Sequence, residues 1–130
     1  MTAIPIGAKL ERHVQVADEY AISFLGREDA RVLATPWLIA HLEWAARDAV
    51  KPYLSDGQDT VGTQVNVAHL AATPLGMHAR FYAEVTAVTD RRVTYRVEAW
   101  DDKEKIGEGT HERAIINIDR FAERVRSKRS

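Results

Sequence analysis

The sequence contains no cysteine among its 130 residues. Disulfide bonds, thiolate metal sites and a cysteine nucleophile are therefore excluded, and the composition suits a reducing compartment. Long hydrophobic runs are also missing, since no segment approaches the roughly 20 apolar residues that span a bilayer. The first residues carry neither the charged region nor the apolar region of a signal peptide. We therefore expect a cytoplasmic protein without a membrane partner.

A strong net charge is absent as well. The chain has 18 basic and 19 acidic residues, which gives a formal net charge of −1. Such a balance creates no field that would attract nucleic acid, and we expect no nucleic-acid partner. Basic residues are dispersed except at 124–129, which we interpret as a solvated, frayed end. We expect a single domain over residues 1–130, with its core at about 10–117.

The most apolar stretch predicts a long helix over about residues 35–51. Thr35 is a suitable N-cap, and the proline after it fits the first helical position. Lys51-Pro52 ends the run, because proline disfavours helical geometry in the preceding residue. A helix that is apolar on most sides is typical of a core, so Glu43 in its middle must be paired, protonated or functional. Arg47, four residues later, is a candidate ion-pair partner.

Period-two alternation predicts strands on both sides of the helix. One strand precedes it at about 8–18, and four follow at about 60–71, 77–88, 93–100 and 105–117. Short turns between these four predict antiparallel neighbours. Small residues at the alternate strand positions that face the helix leave room for it, namely Ala79, Ala83, Ala87 and Ala99. The order predicts an α+β fold, an antiparallel sheet of about five strands around one helix, with a short helix near 119–126.

His69 ends the first strand after the helix, on the apolar parity with Val65 and Val67. Taken alone it is typical of a core histidine, just as Thr35 is typical of a cap. Their conjunction with Glu43 indicates acid–base or nucleophilic chemistry at one contact between helix and sheet. Eight helical residues, about 12 Å of rise, separate Thr35 from Glu43. If the three form one site, Thr35 of one subunit would meet Glu43 of the other, which predicts a dimer.

Several segments resemble the hotdog fold, in which a curved antiparallel sheet wraps a long helix. Thr35-Pro36 opens the helix and Glu43 follows eight positions after the threonine. Then come the segments 62–76, GTQVNVAHLAATPLG, and 107–114, GEGTHERA. Within that fold, the sequence is similar to the fluoroacetyl-CoA thioesterase family over roughly residues 10–117.

The resemblance implies a homodimeric acyl-CoA thioesterase, able to assemble further, with its sites at the dimer interface. Its reaction would be hydrolysis of a small or medium acyl-CoA to the acid and free coenzyme A. The Thr/Glu/His set of that family falls on Thr35, Glu43 and His69. Coenzyme A is then part of the substrate, and no separate cofactor is expected. A backbone amide near Gly62 could hold the oxyanion, and Asn66 is assigned as a second substrate-binding residue.

Two alternatives stay open from the sequence. One is a non-catalytic module that binds an acyl group or hydrophobic ligand, with Glu43 merely paired to Arg47. The other is a different acyl-CoA enzyme on the same fold, such as a hydratase, although the Asp/His arrangement of hydratases is not found. We expect no metal site, because the remaining histidines lack ligand spacing. Fluoroacyl specificity is not carried over, because the segment after Phe24-Leu25 is polar.

Overall fold

The computed structural model describes residues 3–130. One long helix follows the first strand, and four further strands follow the helix, which confirms the predicted α+β order. The main elements are β1 (Lys9–Gln15), α1 (Thr35–Val50), β2 (Gln58–His69), β3 (His78–Thr89), β4 (Arg92–Asp101), β5 (Lys105–Asn117) and α2 (Ile118–Arg129). Within the described residues, neither helix is long and apolar enough to cross a membrane.

The five strands form one antiparallel sheet in the order β1-β3-β4-β5-β2. The hairpins β3–β4 and β4–β5 join neighbours, as predicted. The predicted pairing of β2 with β3 is wrong, because β1 occupies the place beside β3 and β2 pairs with β5. The connection between β2 and β3 therefore crosses to the other side of the sheet. On its way the carbonyl of Thr73 accepts a 2.8 Å hydrogen bond from Leu33, just before α1.

The core lies between α1 and the inner face of the sheet. Leu38, Leu42 and Ala45 of the helix are buried against the strands. Each fully buried large aliphatic side chain stabilises the fold by about 1.5–3 kcal/mol. Ala87 is exposed, against the prediction, because a register shift after Val85 turns it outward. The other predicted inner positions of β3 and β4 are buried: Ala79, Phe81, Ala83, Val85, Val93, Tyr95, Val97 and Ala99.

A bulge divides β2 into two halves, and the positions that face the helix are even-numbered in the first half and odd-numbered in the second. The register of β2 against β5 shifts between Gly62 and Gln64. After the bulge the odd positions face the helix side, including His69, as predicted. Before it the even positions do, because Gly62 lies opposite Arg113, which is buried, and directly opposed residues share a face. The bulge therefore places Gly62 and His69 on the same inner face, although they are seven positions apart and a regular strand would turn them to opposite faces.

The start of α1 differs from the prediction. The N-cap is Ala34, and no side chain caps the helix. The carbonyl of Ala34 accepts hydrogen bonds from Trp37 and Leu38, each at 3.0 Å. The predicted N-cap role of Thr35 is wrong, because Thr35 is already the first helical residue and its hydroxyl bonds to another side chain. The end is as predicted, since Val50 is followed only by a short turn.

Two surfaces of the fold are left open. β2 is an edge strand, and its residues 62–66 are all exposed. α2 extends beyond the predicted range of 119–126, and none of its residues is buried. Its first turn is fixed by Asn117, whose side chain accepts a 3.0 Å hydrogen bond from the amide of Arg120.

Candidate active site

Thr35 and His69 form a direct contact between the first residue of α1 and the last residue of β2. The Oγ1 atom of Thr35 lies 2.7 Å from Nδ1 of His69. Two of the three residues that the sequence predicts as catalytic are thus brought together within one chain. The location of the imidazole proton decides whether the hydroxyl donates to His69 or accepts from it. Either arrangement couples the hydroxyl to a group that can move a proton.

The imidazole of His69 is partly withdrawn from solvent. Burial lowers its pKa below the ordinary value, and the backbone at Ala71 opposes this effect only in part. The neutral ring is therefore favoured at neutral pH. Its Nε2 atom is buried and has no hydrogen-bond partner within residues 3–130. A buried nitrogen of this kind costs free energy unless another group reaches it.

A cavity of about 400 Å³ opens beside this pair. Apolar side chains, including Ile22, Phe24 and Leu33, line it, and Thr35 and His69 stand at its wall. The volume lies in the range of small-molecule sites, which are mostly apolar with a few convergent polar groups. The cavity can hold an apolar group whose reactive end reaches the hydroxyl and the imidazole.

Glu43 lies against Gly62 of β2, away from His69. Its Oε2 atom is 2.5 Å from the ideal position of a β-carbon on Gly62, so the carboxylate uses the space that glycine leaves free. Nη1 of Arg113 donates to Oε2 at 3.5 Å. The Glu43 side chain is 35% exposed and that of Arg113 only 7% exposed. The carboxylate therefore has a buried cation behind it and an open side toward the edge of the sheet.

Arg47 does not pair with Glu43. Its guanidinium binds Asp59 of β2 through two hydrogen bonds, at 3.0 Å from Nε and 2.7 Å from Nη2. This bidentate contact is the main reason that the pKa of Asp59 is lowered to about 2. The Glu43–Arg47 ion pair that the sequence allowed is therefore wrong, and the cation beside Glu43 is Arg113.

Sequence reasoning missed Arg113 and His111. Nδ1 of His111 lies 2.8 Å from the carbonyl of Gln64, so it must carry the proton, and Nε2 can accept from Arg113 at 3.3 Å. Arg113 also donates to the side chain and carbonyl of Thr60, at 2.7 and 2.8 Å. These contacts fix the guanidinium beside Glu43. A signal was present, because both residues stand at inward positions of β5, where a charged side chain needs partners.

Within one chain the proposed residues form two separate groups. Thr35 and Glu43 are about 12 Å apart along α1. Gly62 and His69 are seven positions apart on β2, about 20 Å of strand. Asn66 lies between them on the exposed edge, opposite Thr110 on the other parity, so its substrate-binding role stays a prediction. Among the described residues, no cluster of histidine and carboxylate side chains is arranged to hold a metal ion.

Known proteins share both this sequence pattern and this fold. The sequence model of the FlK family, described as fluoroacetyl-CoA-specific thioesterase, matches residues 16–119. A curated relative, the fluoroacetyl-CoA thioesterase of Streptantibioticus cattleyicolor, is 43% identical over 101 residues, which cover 78% of this chain and 73% of its own.

Solved structures extend the comparison to the whole fold. The fluoroacetyl-CoA thioesterase FlK superposes with a TM-score of 0.88 at 35% identity, over 97% of this chain and 98% of its own. The hypothetical protein TTHA0967 of Thermus thermophilus, a thioesterase superfamily member, gives a TM-score of 0.90 at 30% identity, over 99% and 96%. The fold is the hotdog fold that the sequence segments resemble.

Proposed function

The chain belongs to the fluoroacetyl-CoA-specific thioesterase family and is an acyl-CoA thioester hydrolase, and on this basis we propose that Thr35, Glu43 and His69 form its catalytic site. The substrate is a small or medium acyl-CoA, and the products are the acid and free coenzyme A. The observation that carries the proposal is the 2.7 Å contact between Thr35 and His69 beside an apolar cavity. The size and apolar lining of that cavity favour a short acyl group.

A homodimer would complete the site. The exposed edge of β2 presents unpaired backbone groups over a strand of 12 residues, and such an edge is a template for pairing with a second copy. Antiparallel pairing of β2 with β2 of the partner subunit gives a closed, two-fold symmetric dimer. The start of β2 in one subunit then lies beside the end of β2 in the other subunit.

The positions of Gly62 and His69 define the register of this pairing. If His69 lies opposite Gly62 of the partner subunit and Thr63 is the unpaired residue of the bulge, the two-fold axis falls at Asn66. Directly opposed residues share a face, so the inner-face His69 meets the inner-face Gly62 and the carboxylate of Glu43 beside it. Nε2 of His69 is shielded from solvent within one chain, so the ring would rotate toward the interface to donate to this carboxylate. The bulge in β2 is needed for this arrangement, because it puts both residues on one face.

The chemistry follows from these positions. Glu43 of one subunit removes a proton from water, and the water oxygen attacks the thioester carbonyl carbon. The hydroxyl of Thr35 and a backbone amide near Gly62 donate to the carbonyl oxygen as it becomes negative. The carbon–sulfur bond then breaks, and the proton that Glu43 took from water passes by way of His69 to the coenzyme A thiolate. Arg113 keeps the carboxylate of Glu43 in place throughout.

This scheme needs only side chains and water, and coenzyme A enters as part of the substrate. We place the enzyme in the cytoplasm, a reducing compartment that suits a chain without cysteine. A non-catalytic binding module is the less favoured alternative, because the pairing of Glu43 with Arg47 on which it rested is not formed.

The decisive experiment is a coenzyme A release assay over a panel of acyl-CoA thioesters of increasing chain length, fluoroacetyl-CoA included. We expect the rate to fall about 100-fold to 10,000-fold in Glu43→Gln and His69→Ala, because each removes a proton-transferring group. Arg47→Gln is the matched control, since it removes a charge from the same helix without touching the site. Absence of thiol release from every thioester would refute the hydrolase, and full activity of both variants would refute the site.

A further inference from the structure

Thr35 and His69 are held in place by different segments of the chain. His69 ends β2, and the amide of the next residue, Leu70, donates a 2.7 Å hydrogen bond to the carbonyl of Ile106 in β5. Ile106 is fully buried, so this end of β2 cannot move without the sheet. The imidazole of His69 is therefore positioned from the start of β5, directly after the turn that joins β4 to β5.

Thr35 depends instead on the crossover between β2 and β3, which we define as residues 70–77. The amide of Leu33, two residues before Thr35, donates to the carbonyl of Thr73 in this crossover at 2.8 Å. The position of the Thr35 hydroxyl therefore follows the position of the crossover. Its 2.7 Å contact with Nδ1 of His69 is kept only if the crossover and β5 keep their separation.

A buried hydrogen bond fixes the crossover to the turn between β4 and β5. The hydroxyl of Thr73, which is fully buried, donates to Oδ2 of Asp101 at 2.9 Å. Oδ1 of Asp101 accepts from the turn amides of Lys103 and Glu104, at 2.8 and 3.0 Å. The carboxylate thus binds the turn with one oxygen and the crossover with the other. Because the same turn leads into β5, it is the common support of both residues of the catalytic contact.

Both of the supported segments line the apolar cavity beside the catalytic contact. Residues 32–35 form one part of its wall, and residues 69–72 form another. Thr73 directly follows the second segment, and its carbonyl holds the first. A displacement at Thr73 would therefore change the separation of the two walls, and that of Thr35 from His69. A misplacement of about 1 Å is enough to lower a catalytic rate about 100-fold.

Water cannot take the place of the Thr73 hydroxyl. Thr73 and Asp101 are both buried, so neither can exchange its partner for solvent. Without the hydroxyl, Oδ2 of Asp101 would be a buried acceptor that has lost its donor, and the crossover would have to shift to restore one. A single hydroxyl group therefore decides where the crossover lies relative to the turn.

We propose that Thr73 and Asp101 are positioning residues for catalysis, and that their hydrogen bond sets the distance between the Thr35 hydroxyl and the His69 imidazole. The proposal rests on the proposed function, because it takes the contact of Thr35 with His69 as catalytic. Neither positioning residue lines the cavity, so both act through the segments that they hold. Their loss should lower kcat and change KM little, because the groups that bind the acyl-CoA remain.

The kinetic test replaces the hydroxyl of Thr73 by a methyl group of nearly the same size. In Thr73→Val, we expect kcat for the best acyl-CoA of the panel to fall about 10-fold to 100-fold, with KM changed less than about threefold. Thr73→Ser retains the hydroxyl and should keep most of the rate. Val50→Ala, at the buried far end of α1, is the control that loses stability but keeps the bond. All rates are measured at a temperature at which circular dichroism shows each variant to be folded.

A spectroscopic readout on His69 needs no catalysis. The nitrogen NMR resonance of Nδ1 reports its hydrogen bond to Thr35, and Thr35→Ala gives the value for the broken contact. We expect Thr73→Val to move the resonance toward that value, whereas Thr73→Ser and Val50→Ala should keep the wild-type value. Hence, if no thioester is hydrolysed, the proposed function fails while this resonance still decides the positioning role.

A resonance that stays at the wild-type value in Thr73→Val would overturn the proposal, whatever the rate. In an active enzyme, an unchanged kcat of Thr73→Val, or equal losses in Thr73→Val and Val50→Ala, would overturn it as well. If Thr73→Val does not fold, Asp101→Asn takes its place, because it keeps an acceptor for the two turn amides and weakens only the bond to Thr73. We then expect kcat to fall about threefold to tenfold with the same shift of the Nδ1 resonance, and an unshifted resonance would again contradict the positioning role.

Discussion

The carboxylate of Glu43 occupies the space beside Gly62 where any other residue would carry its β-carbon. The distance from Oε2 to that position is 2.5 Å, closer than side-chain atoms approach a β-carbon. Gly62 has no positive φ angle, so its backbone conformation does not require glycine. Glycine is therefore required at position 62 because a β-carbon there would displace the carboxylate of Glu43.

Replacing Gly62 by alanine should displace Glu43 without distorting β2. We expect kcat/KM to fall about 100-fold, because a misplacement of about 1 Å is enough for such a loss. Far-ultraviolet circular dichroism should be unchanged. Gly107→Ala is the control, since its β-carbon would meet the two terminal methyls of Leu38, at 3.2 and 3.4 Å, and the carbonyl oxygen of Ala68 at 3.4 Å, none of which belongs to the proposed site. A fully active Gly62→Ala enzyme would show that the position of Glu43 is not critical.

Removing the hydroxyl of Thr35 should separate activity from stability. Loss of an N-cap side chain typically costs about 1 kcal/mol, but Ala34 is the N-cap here and Thr35 bonds to His69. We expect Thr35→Ala to lose activity while its free energy of unfolding in urea changes by less than about 0.5 kcal/mol. Thr35→Ser keeps the hydroxyl and should retain more of the rate. A large loss of stability in Thr35→Ala would restore the capping role.

Subunit mixing tests whether the site spans two chains. Thr35→Ala and Glu43→Gln are each expected to be inactive, but co-expressed chains should recover about one quarter of the wild-type rate. Half of the dimers are then mixed, and each mixed dimer has one complete site. The control pair is Thr35→Ala with His69→Ala, which lie in the same half of the site and should not complement. If the first mixture is as inactive as the second, the residues act within one chain.

His41 should make the protein sensitive to acid. It is 1% exposed, between the rings of Tyr20, Trp44 and Phe81, and neither of its ring nitrogens has a partner within residues 3–130. Burial, with a smaller contribution from Arg12, lowers its pKa to about 4. The unfolded chain, whose histidine pKa is about 6.5, therefore takes up a proton first as the pH falls. Stability is complete above about 6.5 and should decrease by roughly 2–3 kcal/mol toward pH 4.

Urea unfolding followed by tryptophan fluorescence between about pH 7 and pH 4.5 measures this loss. His41→Leu should flatten the dependence. Some slope should persist, because burial also lowers the pKa of His69 and of His111. The exposed His78 provides the control, and His78→Gln should follow the wild-type curve. An unchanged curve for His41→Leu would mean that the ring is solvated in the folded protein.

Local patterns predicted the elements well, because the signals for them lie in the elements themselves. The proline after Lys51 and the apolar run before it placed α1 within one residue of its observed end. Alternation placed the buried faces of β3 and β4 for the same reason. The order of strands was not accessible in this way, because the position of β1 beside β3 depends on contacts between distant segments.

In the candidate site, too, local sequence patterns predicted some features, whereas those that depend on distant contacts were missed. The sequence predicts Thr35, Glu43 and His69 as reactive side chains near one helix, and the structure brings Thr35 and His69 into contact. The role of Arg113 and the bulge in β2 were missed, because both depend on pairing with β5. The cap was misassigned since a threonine hydroxyl satisfies a backbone amide or a side chain equally well. Only the folded position of His69 decides between the two.

The distance between Thr35 and Glu43 along α1 has a genetic consequence in the proposed dimer. Each helix then serves two sites, giving its threonine to one and its glutamate to the other. A gene copy with one of the two codons altered would leave one site intact in every mixed dimer, and about half of the total activity. A copy with both altered would disable both sites of every mixed dimer and leave about one quarter. The double allele would therefore be dominant-negative, although each single allele would not.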